Sequence, residues 1–262
     1  MNYRGTPVRI AVLGDSISEG LGSKKYNYCP ELRENVEEAL GVKCTIRNFA
    51  YTGKTILYAN EIRENVAQFQ PDIIISFFGS VDGMVRPKKK KPYWYLVPNR
   101  YKQNGMLDPR PFYSRKFKRA IVEHIDSFIR FRLKLILMKL CGTYSWVDLT
   151  TFEREYRSFL DYFKNKSKFL LASTVYLDDY YFPGSNDNFK AYNECIKNLS
   201  EEYHCNFIDL RPMQRQFHWE EIYDSDHFHP SQKGYTWYAQ VFGNEIVRML
   251  RRGDTEGNSN IR

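Results

Sequence analysis

Five short segments, each with a core of apolar residues, recur along the chain and are separated by longer stretches of helical periodicity. The segments cover residues 8–13, 43–49, 72–78, 169–175 and 206–210, and several are rich in β-branched side chains. Such segments predict β-strands. The 72–78 segment is apolar almost throughout, which is typical of a parallel strand covered on both faces.

The intervals show apolar residues at helical spacing over residues 30–40, 56–68, 151–165, 188–203 and 231–251. Strands that alternate with helices predict a three-layer α/β/α sandwich around a five-stranded parallel sheet with right-handed crossovers. We expect one domain over residues 1–252, followed by a disordered tail at 253–262. Ligands of such a fold bind beyond the carboxyl ends of the strands.

Residues 86–147 do not fit this alternation and predict a basic, largely helical insertion. The insertion begins with a lysine run at Lys88–Lys91 and contains a long predicted helix at 114–140. Two interpretations stay open for this helix. It packs over the sheet or forms a lid, or it rests as a basic amphipathic helix on an anionic membrane.

Charge favours an anionic partner, because the net charge is +8 and the isoelectric point is near 9.1. The lysine run alone is weak support for nucleic acid, which is not an expected partner. Five scattered cysteines without CxxC spacing argue against a disulfide framework or a zinc site, and we expect no metal and no cofactor. The N-terminus leads directly into a strand, which predicts a cytoplasmic location, with membrane association on the cytoplasmic face if the long helix binds lipid.

Two short motifs near opposite ends of the chain supply the groups for serine-dependent acyl chemistry. Gly14-Asp15-Ser16 follows the first predicted strand, and Asp226-His227-Phe228-His229-Pro230 precedes the last predicted helix. The spacing of Asp226 and His229 allows the carboxylate to orient the imidazole toward the Ser16 hydroxyl. His227 is the competing base, but its position next to Asp226 predicts that it points elsewhere.

The loops that follow the second and third strands reach the same sheet edge as Ser16. They contain Gly53, whose backbone N–H is free of side-chain hindrance, and the segment Gly79-Ser80-Val81-Asp82. A backbone N–H at this edge is suited to stabilise an oxyanion.

These segments, in this order, resemble those of the SGNH (GDSL-type) hydrolase superfamily over residues 8–85 and 150–250. The resemblance implies a flavodoxin-like fold, Ser16 as nucleophile, His229 as base, Asp226 as its orienting carboxylate, and an oxyanion hole formed by Ser16 and Gly53. It also implies an asparagine as a further oxyanion donor, at the position that Val81 occupies here. Ser80, or a residue of the insertion, is the expected substitute, and the other predicted substrate-binding residues are Asp15, Asp82 and Tyr176.

The predicted function is that of a serine esterase or O-acyltransferase, which the triad alone does not separate. The basic insertion and an aromatic content of 16% favour an acylated carbohydrate as substrate, and we expect an O-acetylated one, such as a surface or capsular polysaccharide. Two alternatives stay open: a lipid acyl esterase that docks on an anionic membrane through residues 114–140, and a non-catalytic glycan-binding module, which Val81 motivates.

Overall fold

The computed structural model describes residues 7–22, 26–110 and 117–259, and the strands of its main sheet match the five predicted segments. These strands are β1 (Val8–Gly14), β2 (Cys44–Asn48), β3 (Ile73–Phe77), β6 (Lys168–Ala172) and β7 (Asn206–Ile208). A separate antiparallel pair consists of β4 (Arg86–Pro87) and β5 (Thr143–Tyr144).

The main sheet has the order β2-β1-β3-β6-β7, and every pair in it is parallel. Val12 lies opposite Asn48 on one side and Ile75 on the other. The strand order reverses at β1, so the carboxyl ends of β1 and its neighbours open a crevice at the position where ligands bind in doubly wound sheets. The predicted α/β fold class with a five-stranded parallel sheet is confirmed.

Helices cover both faces of this sheet. The short ones are α1 (Ser16–Glu19), α3 (Ile56–Glu61), α4 (Arg63–Phe69), α5 (Ser80–Gly83), α6 (Tyr93–Leu96), α10 (Leu210–Gln214) and α11 (Trp219–Ile222). The longer ones are α2 (Cys29–Leu40), α7 (Phe117–Cys141), α8 (Leu149–Phe163), α9 (Ser185–Glu202) and α12 (Gln232–Ser259).

Alternate residues of the buried strands enter two separate hydrophobic cores. In β1, Val8, Ile10 and Val12 pack with side chains of α2 and α12, whereas Ala11 and Leu13 face α3, α4, α8 and α9. This two-residue periodicity follows from the pleat of the strand. Burial on both faces explains why β3, with all five residues buried, is apolar except for Ser76.

The insertion has a small core of its own beside the main sheet. Val97, Tyr101 and Leu107 pack against Leu137 and Cys141 of α7. Lys134 of α7 is fully buried and forms an ion pair with Asp108. The long helix therefore packs on its own insertion and on the neighbouring loop, where Phe131 contacts Tyr180 and Tyr181, rather than across the sheet.

Three predicted elements differ from the structure at their ends. The helix predicted at 56–68 is two helices, because the backbone at Ile62 leaves the helical region without any proline or glycine to signal the break. The helix predicted at 114–140 is described from Phe117 onward, and 114–116 lie outside the described residues. The last helix, predicted to end at 251, is assigned as Gln232–Ser259, whereas the disordered tail at 253–262 stays a prediction and 260–262 lie outside the described residues.

Candidate active site

The two motifs meet at the carboxyl end of β1. The backbone leaves β1 at Gly14, Asp15 caps α1 by accepting a hydrogen bond from the Ile17 N–H at 2.9 Å, and Ser16 begins the helix. A Cβ at residue 14 would lie 2.9 Å from the Phe77 carbonyl oxygen, so the approach of β1 to β3 leaves room only for glycine. This tight turn places the Ser16 hydroxyl at the sheet edge.

Ser16, His229 and Asp226 form a continuous chain of hydrogen bonds. Nε2 of His229 lies 2.8 Å from Oγ of Ser16, and Nδ1 lies 2.5 Å from Oδ2 of Asp226. All three side chains are buried. The other carboxylate oxygen of Asp226 accepts the N–H groups of Phe228 and His229, at 3.0 and 2.9 Å, so a single tight turn fixes both the carboxylate and the imidazole.

His227 points away from this chain, as its position next to Asp226 predicts. Its Nδ1 lies 2.8 Å from Oδ2 of Asp178, and its ring packs against Tyr181 and Trp219. The residue has a positive φ of 56°, and this left-handed turn aims His227 and His229 in different directions.

The loop that contains Gly53 is attached to α1 by side-chain hydrogen bonds. The Glu19 carboxylate accepts the N–H of Thr52 at 2.5 Å and also the Thr52 hydroxyl. The Asn48 amide donates to the Ser18 carbonyl at 2.6 Å. Gly53 has a φ of +72°, with open space around its Cα. Sequence reasoning missed Glu19 and Asn48, whose contacts join segments about 30 residues apart and leave no local pattern.

The third loop is attached to the second through a buried carboxylate. Asp82 accepts hydrogen bonds from the N–H groups of Gly79 and Ile56, both at 2.9 Å. Burial raises the pKa of Asp82 to about 7 despite these two hydrogen bonds, and burial likewise raises the pKa of Asp15 to about 6. Both aspartates hold backbone in place and neither is among the residues that line the cavity beside Ser16.

Comparisons with known proteins agree with this geometry. The model of the GDSL-like lipase/acylhydrolase family matches residues 12–237, most of the chain. The chain belongs to this family. No curated protein matches the sequence.

Two solved structures of other proteins show the same fold at low sequence identity. A lipase/acylhydrolase from Enterococcus faecalis is 16% identical with a TM-score of 0.61, over 92% of this chain and 96% of that one. An acetylxylan esterase from Geobacillus stearothermophilus is 18% identical with a TM-score of 0.59, over 92% of this chain and 95% of that one.

A cavity of about 300 Å³ opens in front of Ser16 and His229. The catalytic side of its wall consists of Ser16, Leu21, Thr52, Gly53, Val81, Phe228 and His229. The opposite side belongs to the insertion and consists of Arg86, Asn104, Gly105, Asp108, Pro109, Arg110 and Trp146. The insertion therefore supplies half of the lining of the cavity in this GDSL-family protein.

A buried ion-pair cluster supports the insertion side of the cavity. Nε of Arg86 lies 2.8 Å from Oδ2 of Asp108, and Nζ of Lys134 lies 3.0 Å from its Oδ1. Burial disfavours the charged form of Asp108, but the two cations outweigh this effect and hold its pKa at about 2. The Arg86 guanidinium also lies 3.8 Å from the centroid of the Trp146 ring and donates to the Val81 carbonyl at 2.9 Å.

The segment Gly79-Ser80-Val81-Asp82 departs from the GDSL-family pattern at the cavity itself. Val81 lines the cavity with a side chain that has no hydrogen-bond donor. The Ser80 hydroxyl is buried and accepts a hydrogen bond from the Val175 N–H at 3.1 Å, so it does not face the cavity. Tyr176, another predicted substrate-binding residue, stacks on Trp219 and is not among the lining residues.

Gly22 is a further residue of the site that sequence reasoning did not identify. A Cβ at this position would lie 2.9 Å from both the Cβ of His229 and the carbonyl oxygen of Pro230. The φ of Gly22 is +115°, a conformation that side chains with a Cβ rarely adopt. The absence of a side chain here therefore leaves room for the catalytic turn.

Proposed function

We propose that the protein is a serine-dependent ester hydrolase or O-acyltransferase that acts on an acylated carbohydrate, an O-acetylated one in the simplest case. The observation that carries the proposal is the hydrogen-bonded chain from Ser16 through His229 to Asp226, which opens on a cavity of about 300 Å³. This arrangement is the one that activates a serine hydroxyl for attack on a carbonyl carbon.

In the proposed first half-reaction, Oγ of Ser16 bonds to the ester carbonyl carbon and its proton passes to Nε2 of His229. Asp226 stabilises the imidazolium that forms. The backbone N–H groups of Ser16 and Gly53 bind the developing oxyanion. The carbon–oxygen bond to the alcohol then breaks, the alcohol takes the proton from His229, and an acyl-enzyme remains.

In the second half-reaction, water or a sugar hydroxyl attacks the acyl carbon while His229 accepts the proton of the attacking group. The bond between the acyl carbon and Oγ of Ser16 then breaks, and His229 returns the proton to Oγ. Water releases the free acid, whereas a sugar hydroxyl completes acyl transfer. Both outcomes use the same residues, so the choice depends on which acceptor the cavity binds.

Two features favour a carbohydrate. Trp146 is among the residues that line the cavity, and an aromatic side chain there is suited to contact the apolar face of a sugar ring. The structural neighbour with acetylxylan esterase activity shares the fold, which makes acetylated oligosaccharides the first substrates to test. A lipid acyl ester is the second candidate, because α7, in the insertion that contributes to the cavity lining, exposes an apolar face.

Fluorophosphonate labelling of the purified protein tests the proposal. We expect the wild type to be labelled and the Ser16→Ala and His229→Ala variants to lose labelling while they remain folded by circular dichroism. Acetylated xylo-oligosaccharides, a p-nitrophenyl ester and a phospholipid would then be compared as acyl donors. A folded wild type that neither reacts with the probe nor cleaves any of these esters would contradict the proposal and support a non-catalytic, glycan-binding role.

A further inference from the structure

The outward side of α7 is an apolar surface that nothing in the described chain covers. Its outer face, defined here as Ile121, Val122, Ile125, Phe128, Ile129, Ile136 and Leu140, has side chains between 40% and 63% exposed. The opposite side of the same helix is buried, with Phe131, Lys134, Leu137 and Cys141 packed against the insertion and its neighbouring loop. The exposed residues therefore form one continuous stripe rather than scattered apolar positions.

The exposed charges on this helix have one sign. Lys118, Arg132 and Lys139 are exposed along α7, whereas its two acidic residues, Glu123 and Asp126, are half-buried. Asp126 accepts hydrogen bonds from Tyr101 and Arg130 and so faces the insertion. An exposed stripe of large apolar side chains with cations beside it is the surface that binds an anionic bilayer.

Charge is separated between the insertion and the rest of the chain. Residues 86–147 contain 16 Lys and Arg but only 3 Asp and Glu, a net charge of +13. Since the whole chain has a net charge of +8, the remaining residues total −5. The insertion is therefore the only one of these two parts with a charge complementary to an anionic surface.

We propose that the outer face of α7 docks this protein on the surface of an anionic lipid bilayer, with the helix lying in the interfacial plane. A helix of 25 residues extends about 37 Å along the surface, and such helices insert about 5–10 Å into the headgroup region. No helix of the described residues is long and apolar enough to cross a membrane. This docking would take place whether the substrate is a carbohydrate ester or a lipid acyl ester.

A second copy of the chain is the competing occupant of this face. Pairing two copies through α7 would bring two insertions of +13 together, and like charges at an interface oppose association. A bilayer with anionic headgroups has the opposite charge and accepts the same apolar side chains. Charge therefore favours the bilayer over self-association.

Co-sedimentation of the full chain with vesicles tests the docking. We expect binding to vesicles of phosphatidylcholine mixed with phosphatidylserine, weak binding to phosphatidylcholine alone, and loss of binding as salt rises. The Ile125→Glu/Phe128→Glu variant should bind the mixed vesicles at least about tenfold more weakly, because two large side chains no longer enter the interface. The affinity of the Arg132→Glu/Lys139→Glu variant for the mixed vesicles should fall at least about tenfold, since each basic residue contributes about fivefold to the binding.

Matched control variants distinguish an effect of the outer face of α7 from a general effect of the altered charge. Leu57→Glu/Leu149→Glu makes the same substitution at two exposed helical leucines outside the insertion and should bind like the wild type. Lys43→Glu/Lys168→Glu is the control for charge reversal, at two exposed lysines outside the insertion. Ser16→Ala should bind normally, so a failed docking experiment and a failed catalytic proposal are distinguishable. Each variant should keep the fluorophosphonate labelling of Ser16, except Ser16→Ala itself.

Three results would overturn the docking proposal. The first is no binding of the wild type to mixed vesicles. The second is vesicle binding that the α7 variants leave unchanged, which would assign it to the lysine run at 88–91 or to another surface. The third is a dimer by light scattering that Ile125→Glu/Phe128→Glu converts to a monomer, which would make the outer face an interface between copies of this chain.

Discussion

At the residue scale, the site combines an intact triad with one altered oxyanion position. Val81 lines the cavity where the GDSL-family pattern implies an asparagine donor, while the hydrogen-bonded chain from Ser16 through His229 to Asp226 is complete. A single missing donor of this kind costs about 10²–10³ in turnover. We therefore expect an oxyanion hole with one donor fewer, beside the proposed triad.

Val81→Asn should raise turnover, because the new amide can donate to the oxyanion. The expected gain in kcat/KM approaches the ~10²–10³ that such a donor supplies, measured with a p-nitrophenyl ester and the preferred sugar ester. Val81→Leu, whose side chain is close to that of asparagine in size and has no hydrogen-bond donor, is the control. Unchanged turnover in Val81→Asn would mean that another group, such as one on the insertion wall, already occupies the position or that the amide points away.

Gly22→Ala should lower kcat, because the added methyl group would press on the His229 backbone and displace the imidazole from Ser16. Gly41→Ala is the matched control, since Gly41 also has a positive φ of 64° but has open space around it. We expect about a tenfold or greater loss for Gly22→Ala, in line with the sensitivity of catalysis to misplacement of about 1 Å. The two variants would be assayed at equal concentrations of folded protein. Equal kcat values would contradict the prediction that Gly22 leaves room for the backbone of His229.

At the scale of elements, two carboxylates join the segments around the site: Asp82 is fully buried and Asp108 is partly exposed. Asp82 connects the turn at Gly79 to the start of α3, and Asp108 connects β4 to α7. The two carboxylates have opposite electrostatic surroundings. Asp82 is desolvated among backbone donors, whereas Asp108 lies between two cations.

Asp82 should make the protein less stable as pH rises. Because burial raises its folded pKa to about 7, the folded state binds a proton that the unfolded state has already released above pH ~4. The stabilisation from this group is present below the unfolded pKa and is lost between about pH 4 and 7, by up to a few kcal/mol. Chemical unfolding of the wild type and Asp82→Asn across this range should show the wild type losing stability relative to the variant. Parallel profiles would contradict the prediction.

Asp108→Asn should destabilise the fold more than Lys134→Met. Removal of the carboxylate leaves Arg86 and Lys134 as buried cations without their shared partner, at a cost of about 3–5 kcal/mol. Lys134→Met keeps the Arg86–Asp108 pair and fills a similar volume, so we expect about 1 kcal/mol or less. Urea unfolding measures both values, and the reverse order would show that Lys134 rather than Arg86 holds Asp108.

At the scale of the whole molecule, the sheet could be predicted from local signals, because each buried strand is apolar on both faces. The triad could also be predicted, since Asp226 and His229 lie within one turn and Ser16 ends a strand. The contacts of Glu19 with Thr52, of Gly22 with His229, and of Asp108 with Lys134 could not. Each of these contacts joins residues whose proximity exists only after the chain has folded.

The position of the insertion beside the cavity also could not be predicted from the sequence. Its basic character is visible in the sequence, but its role as half of the cavity wall depends on residues 104–110, which show no periodicity of their own. The single-domain organisation over 1–252 and the cytoplasmic location remain predictions from the sequence.

The insertion has a net charge of +13 and the rest of the chain a net charge of −5. This uneven distribution also determines how the protein binds to an ion-exchange matrix. A protein with one concentrated basic region adsorbs to a cation exchanger through that region, so retention follows the patch rather than the average charge. It should therefore elute later than its isoelectric point of 9.1 implies. Replacing Lys88–Lys91 with glutamine should shift elution to lower salt by more than the loss of four lysines elsewhere. On a cation exchanger, the protein would therefore bind through the insertion and in a single orientation.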